Sequence, residues 1–276
     1  MGNNALDYSR PGPMTTVDPQ QIHLTDGLPE DPRGICKAVQ SLVIQPHDAT
    51  AQGVPQERLP EKDIRPASGL INALIALDPR PLHEPRTPGR RVVGCCRHFA
   101  TLATALLRLR GIPARARCGF GTYFVEGRNL DHWIVEYWNA EEDRWVRIDV
   151  EHLDRSWPAK LDDLQAGEFL TGGEAWTWYR SGEVDGNLFG VAGVDYAWGP
   201  GEIRGNAIRD LASLNKLEML PWDEWSRMAE SYAGKTGADY DELMDELAAT
   251  TAADDPSGLA RLYATKDLAV PEHLAV

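Results

Sequence analysis

The stretch from Val92 to Arg117 constrains the rest of the chain more than any other. It reads Val92-Val93-Gly94-Cys95-Cys96-Arg97-His98-Phe99-Ala100, continues to Arg110, and then gives Gly111-Ile112-Pro113-Ala114-Arg115. Phe99, Leu102, Leu106 and Leu109 recur at helical spacing behind the thiol pair. Gly111 suits the position just past a helix end, and Ile112-Pro113 cannot continue the helix. A helix is therefore expected to begin at the cysteines and to stop at Gly111. A cysteine in a first helical turn faces unpaired backbone N–H groups, whose partial positive charge favours thiolate over thiol. That position suits a nucleophile, and a structural thiol does not need it. Beyond Pro113 the period changes to two. Ala114, Ala116, Cys118 and Phe120 alternate with Arg115 and Arg117, which predicts a half-buried strand.

Length and composition set the frame. The 276 residues allow one large domain or a core with appended pieces. No run of about 18 apolar residues occurs, so no transmembrane helix is expected. Residues 1–20 are polar, rich in Asn, Pro, Ser and Thr, and without the apolar core of a signal peptide. A flexible N-terminal segment and a cytoplasmic location are expected. The cysteines, Cys36, Cys95, Cys96 and Cys118, fit reduced thiols. There is no CxxC and no clustered Cys/His pattern. Neither a disulfide framework nor a structural zinc site is expected, and no metal or cofactor is assigned. The net charge of −14 argues against nucleic-acid binding. Charge is unevenly placed, though: between Arg80 and Arg117 nine arginines face one acid, Glu84. From Asp223 to the end, twelve acids face four Lys and Arg. Either the arginines are solvated and merely offset acids elsewhere, or a basic rim surrounds the thiol and attracts an anionic substrate or acidic carrier protein.

Helices are expected over 29–43 and 66–77, with loop-like chain over 47–62 and a proline-rich connector over 78–90. Two β-rich runs, 132–138 and 144–150, flank the turn residues Asn139 to Asp143 and predict a hairpin. Residues 151–207 hold many Gly and Trp with little period and read as an irregular wrap. Helices follow over 208–220, 240–250 and 256–265, giving residues 223–276 the character of an acidic helical extension.

A thiol needs a base and an orienting group. His98 is two residues from Cys96, and such residues point apart on a helix, so it is a poor base. His132, in Asp131-His132-Trp133 at a strand start, can face a cleft. If Trp138 pairs with Asp143, His132 lies opposite Asp149 on one face of the hairpin. A slip of one residue would undo that pairing. Asp149 lies between Ile148 and Val150, and its carboxylate could hold the imidazole or form an ion pair with Arg115 or Arg147. Helical period alone does not choose between Cys95 and Cys96.

These residues carry a resemblance. Gly94-x-Cys96-Arg97-x-Phe99-Ala100, Leu106-Leu107-Arg108-x-x-Gly111-Ile112-Pro113-Ala114-Arg115, Asp131-His132-Trp133 and Trp145-Val146-x-Ile148-Asp149 resemble the core of the transglutaminase-like superfamily, which are papain-related cysteine enzymes. The likeness spans about residues 90–152. It implies an α+β fold, with a nucleophile-bearing helix packed on an antiparallel sheet and additional N- and C-terminal helices. It also implies a catalytic domain over 21–222, Cys96 as nucleophile, His132 as general base and Asp149 as orienter, with Cys95 an inert core thiol. Asp131 to Trp138, with the run from Arg209 to Asp223, further resembles stand-alone bacterial transglutaminase-domain proteins. The second run either lines an acyl pocket or ties its helix to the core. The expected function is a cysteine-dependent amide or thioester hydrolase or acyltransferase. Arg90, Arg91, Arg97 and Trp133 are the expected substrate contacts. The competing reading is a non-catalytic binding protein that keeps the fold.

Overall fold

The computed structural model describes residues 6–265 and 267–275. The chain first builds a helical layer. Asp31 caps helix α1 (Pro32–Gln40) by accepting from the Gly34 N–H, and Pro32 sits at its first position. The two-residue strand β1 (Val43–Ile44), the short helix α2 (Pro46–Ala51) and helix α3 (Ala67–Leu77) follow. Strand β2 (Val92–Val93) runs parallel to β1 and delivers the chain to helix α4 (Cys96–Leu109). Gly94 is obligatory there, because a Cβ would stand 2.6 Å from the His98 ring. Gly111, at φ +74°, makes the left-handed exit expected of it.

Helix α4 is buried from Cys96 to Arg108, which places it between layers. Phe99, Leu102 and Leu106 share one cluster with Ile35, Leu70 and Leu74 of the helical layer and with Val135 and Ile148 of the sheet. Each such side chain contributes about 2 kcal/mol by leaving water. The sheet comprises β3 (Ala114–Val125), β4 (Arg128–Asn139), β5 (Arg144–Ile148) and β6 (Phe169–Thr171), in the order β5-β4-β3-β6 with every neighbour antiparallel. Helix α5 (Gly172–Ser181) follows, and β7 (Phe189–Gly190) then pairs parallel with β4 at Asn129 and Leu130, where β5 has ended. Gly119 lets β6 approach β3, since a Cβ would collide with the Leu170 carbonyl. The architecture is α+β, with a central helix packed on an antiparallel sheet.

Helix α6 (Pro200–Leu214) covers the open edge of β3. Asp210 Oδ1 accepts from the Cys118 N–H at 3.0 Å, Ser213 Oγ donates to the Ala116 carbonyl at 2.7 Å, and Asn206 Nδ2 donates to the Gly119 carbonyl at 3.1 Å. Side chains here do the work of a missing strand. Helices α7 (Ser226–Tyr232), α8 (Ala238–Ala253) and α9 (Pro256–Tyr263) complete the fold. Trp225, Met228, Tyr240 and Met244 share one apolar cluster with Ile208 and Leu211 of α6.

Several expectations are corrected. The segment taken as flexible is packed from residue 6 onward: Met14 is buried in the α6 cluster, Tyr8 Oη donates to the Leu214 carbonyl, and the Met14 carbonyl accepts from the Ala67 N–H. Residues 1–5 lie outside the described residues. Apolar side chains widely spaced in sequence supplied no periodic signal there. The wrap over 151–207 contains β6, α5, β7 and the start of α6, all positioned by tertiary contacts. The run 47–62, read as a loop, holds α2 and a 3-10 turn at Gln56–Asp63. The apolar cluster runs across position 222 without a break.

Candidate active site

Cys96 opens α4, His132 lies in β4 opposite Gly119, and Asp149 follows β5 directly. The observed register pairs Trp138 with Trp145 and Val135 with Ile148, two residues from the supposed one. A two-residue shift preserves the faces of the strands, so the expected meeting still occurs on the diagonal. His132 Nε2 stands 3.1 Å from Asp149 Oδ2. The N–H is not aimed at that oxygen, so the contact is chiefly one of charge. Cys96 Sγ, a His132 ring nitrogen and a Glu151 carboxylate oxygen all lie within 4.8 Å of one another.

Asp149 is fully buried and densely held. It accepts from Tyr123 Oη at 2.7 Å and from the His152 N–H at 3.1 Å, and His152 Nδ1 lies 2.9 Å away. Burial alone would raise its pKa, but the His132 charge and these hydrogen bonds hold it well below the usual carboxylate range. Burial likewise pushes the His132 imidazole down, and the Asp149 charge outweighs it, leaving the pKa raised to about 8. Phe124 packs edge-on against His132, with ring centroids 5.0 Å apart, and Trp157 closes on Phe124 at 5.5 Å. This aromatic wall shields the imidazole from water.

The thiol pair departs from expectation. Cys95 caps the helix: its N–H donates to His98 Nδ1 at 3.0 Å, and its Sγ lies 3.4 Å from the same atom. The neighbouring thiols compete for one negative charge. Hydrogen bonding with Cys96 draws the Cys95 thiol well below its usual value, and the same contact together with burial holds the Cys96 thiol well above. Cys95 thus stands at the helix start with its Sγ against the His98 ring, next to Cys96 in the first turn.

Glu151 went unnoticed in the sequence. It is 8% exposed, its Oε1 accepts from Gln45 Nε2 at 2.9 Å, and its Oε2 has no partner among the described residues. Burial raises its pKa. Tyr123 and His152 were missed as well. The run Asp149-Val150-Glu151-His152 was the available signal, with three titratable side chains in four residues after an apolar strand. An open cavity of about 790 Å³ has Gln45, Arg91, Phe99 and Glu151 in its wall.

The expected substrate contacts separate. Arg91 reaches that cavity, whereas Arg90 is exposed and donates to the Leu77 carbonyl. Arg97 is fully buried and donates to the Glu218 and Arg65 carbonyls, so it ties α4 to the chain after α6. Trp133 is buried beside Cys96 and Ala100, and its Nε1 has no partner among the described residues. Of the nine arginines, Arg86, Arg97, Arg108, Arg115 and Arg117 are buried, whereas Arg80, Arg90 and Arg110 are exposed and Arg91 is half-buried. Arg115 and Arg117 both bond Glu136, and Arg117 forks onto Asp210 at 2.9 and 2.7 Å. Asp149 forms no ion pair with Arg115 or Arg147 among the described contacts, because both arginines are engaged by Glu136.

No curated protein matches the chain. A similar solved structure is that of a candidate cysteine protease from Cytophaga hutchinsonii, with 15% identity and a TM-score of 0.38 over 62% of this chain. The match covers 46% of that protein, so this chain spans under half its length. Among the described residues no helix is long and apolar enough to cross a membrane. Residues 82–150, which carry Cys96, His132 and Asp149, match the model of the transglutaminase-like superfamily. Through this segment the chain is thus similar to the transglutaminase-like superfamily.

Proposed function

We propose that the protein is a cysteine-dependent amide or thioester hydrolase or acyltransferase, with Cys96 as nucleophile, His132 as general base and Asp149 as its orienting carboxylate. The observation that carries this reading is the line from Cys96 to a ring nitrogen of His132 and from His132 Nε2 to Asp149 at 3.1 Å. His132 takes the proton as sulfur attacks the carbonyl, and Asp149 offsets the charge of the imidazolium. The tetrahedral oxyanion draws on the backbone N–H of Cys96 at the start of α4. The imidazolium then protonates the leaving amine or thiol, which leaves a thioester on Cys96. Water yields hydrolysis and an amine yields transfer. The donor is a peptide, amide or acyl-thioester, and Arg91 in the cavity wall leaves an acidic carrier as one source of it.

The test is acyl-enzyme trapping. The protein is treated with an activated ester, and the adduct is mapped by mass spectrometry. The expected adduct is on Cys96, persists in Cys95→Ala, and forms about 10²–10⁴-fold more slowly in His132→Ala. An adduct on Cys95 would move the nucleophile. No adduct at all would favour a non-catalytic binding protein with this fold.

A further inference from the structure

The group Cys96, His132 and Glu151 has a property the acyl-transfer chemistry does not use. A thiol, an imidazole and a carboxylate come from three elements, α4, β4 and the chain after β5, and converge within 4.8 Å. A tetrahedral zinc ion, at about 2.0–2.3 Å from its ligands, separates them by roughly 3.5 Å. Side-chain rotation of about an ångström would close that difference. All three residues are at least nine-tenths buried, at 7%, 3% and 8% exposure. Glu151 Oε2 is buried with no hydrogen-bond donor among the described residues, and an unpaired buried carboxylate oxygen is costly unless a cation or donor reaches it. Asp149 Oδ2 lies 3.1 Å from His132 Nε2, a second carboxylate charge beside the imidazole. Glu151 also forms part of the cavity wall.

We propose that Cys96, His132 and Glu151 form a binding site for a soft-to-borderline divalent cation of the zinc class, whose occupancy blocks the thiol. A sulfur, nitrogen and oxygen donor set prefers zinc over magnesium or calcium. Binding replaces the Cys96 S–H proton, and any proton on the coordinating imidazole nitrogen, with the metal, and the protons pass to solvent. The ion holds nucleophile and base together, so it is inhibitory. The ligands are scattered in sequence, which is why no zinc pattern was visible there.

The inference concerns metal binding and stands whether or not Cys96 becomes acylated. The test is titration of the full chain with Co²⁺, followed by absorption, with Zn²⁺ added as competitor. The expected result is a thiolate-to-cobalt charge-transfer band that Zn²⁺ abolishes, that is absent in Cys96→Ala and present in Cys95→Ala. Glu151→Gln should weaken Co²⁺ binding by more than the roughly tenfold that an outer-ligand change costs, with its thermal transition recorded to establish folding. A band that survives in Cys96→Ala would overturn the site. So would unchanged affinity in folded Glu151→Gln. Binding without a thiolate band would also overturn it, placing the ion instead among His132, Asp149 and His152, whose ligand atoms likewise converge.

Discussion

A carboxylate that accepts from Tyr123 and from His152 and stands beside an imidazole has little freedom left. Asp149 is in that position, and its charge holds His132 at a pKa of about 8. A base has to be neutral to accept a proton, so the acylation rate is expected to rise with pH through about 8 and to fall below it. Asp149→Asn removes the charge that raises the pKa and leaves burial, which lowers it. The acid limb should then move to lower pH while the plateau rate drops by about a hundredfold or more. A pre-steady-state pH profile of both proteins checks this, and a limb that stays in place would separate Asp149 from the base. At this scale much was legible: each proposed reacting residue lies at a motif position. Glu151 was not legible, because its role depends on a closeness to Cys96 that no local pattern encodes.

Elements succeeded and failed for physical reasons. The start of α4 followed from the helical spacing behind the cysteines, and its stop from Gly111, whose φ of +74° favours glycine. The hairpin register was off by two residues, yet strand faces repeat every two residues, so the meeting of His132 and Asp149 survived the error. The polar density of α6 had two readings, and the bonds of Asn206, Asp210 and Ser213 to β3 favour the anchoring one. Asp210→Ala would leave Arg117 only its Glu136 partner and the Cys118 N–H unpaired. It should cost about 3–5 kcal/mol, measurable by urea unfolding. Arg97→Ala should lower stability by about 1–3 kcal/mol through the unpaired Glu218 and Arg65 carbonyls. Since Arg97 ties α4 to the segment after α6, KM for an acyl donor should hold steady; a large rise in KM would restore Arg97 as a substrate contact.

At the scale of the molecule, the expected partition into flexible start, catalytic middle and appended tail does not describe the packing. Met14, Ile208, Trp225 and Met244 fill one cluster, and Trp225 Nε1 donates to the Leu268 carbonyl. A chain ended at Trp222 should lose its cooperative thermal transition, whereas a separable tail would leave that transition nearly unchanged. Acidic composition had suggested separation, but composition describes the solvent face of α8 and says nothing of its inner face.

Burial of Arg97, Arg108, Arg115 and Arg117 also alters what an approaching molecule encounters. Their charges are spent internally on Glu136, Asp210, Glu218 and backbone carbonyls, and the chain as a whole carries −14. The long-range field around the protein is therefore negative, so diffusional encounter favours neutral or cationic donors and acceptors. Added salt should slow capture of a cationic amine and speed capture of an anionic thioester, giving the ionic-strength dependence of kcat/KM opposite signs for the two substrate classes.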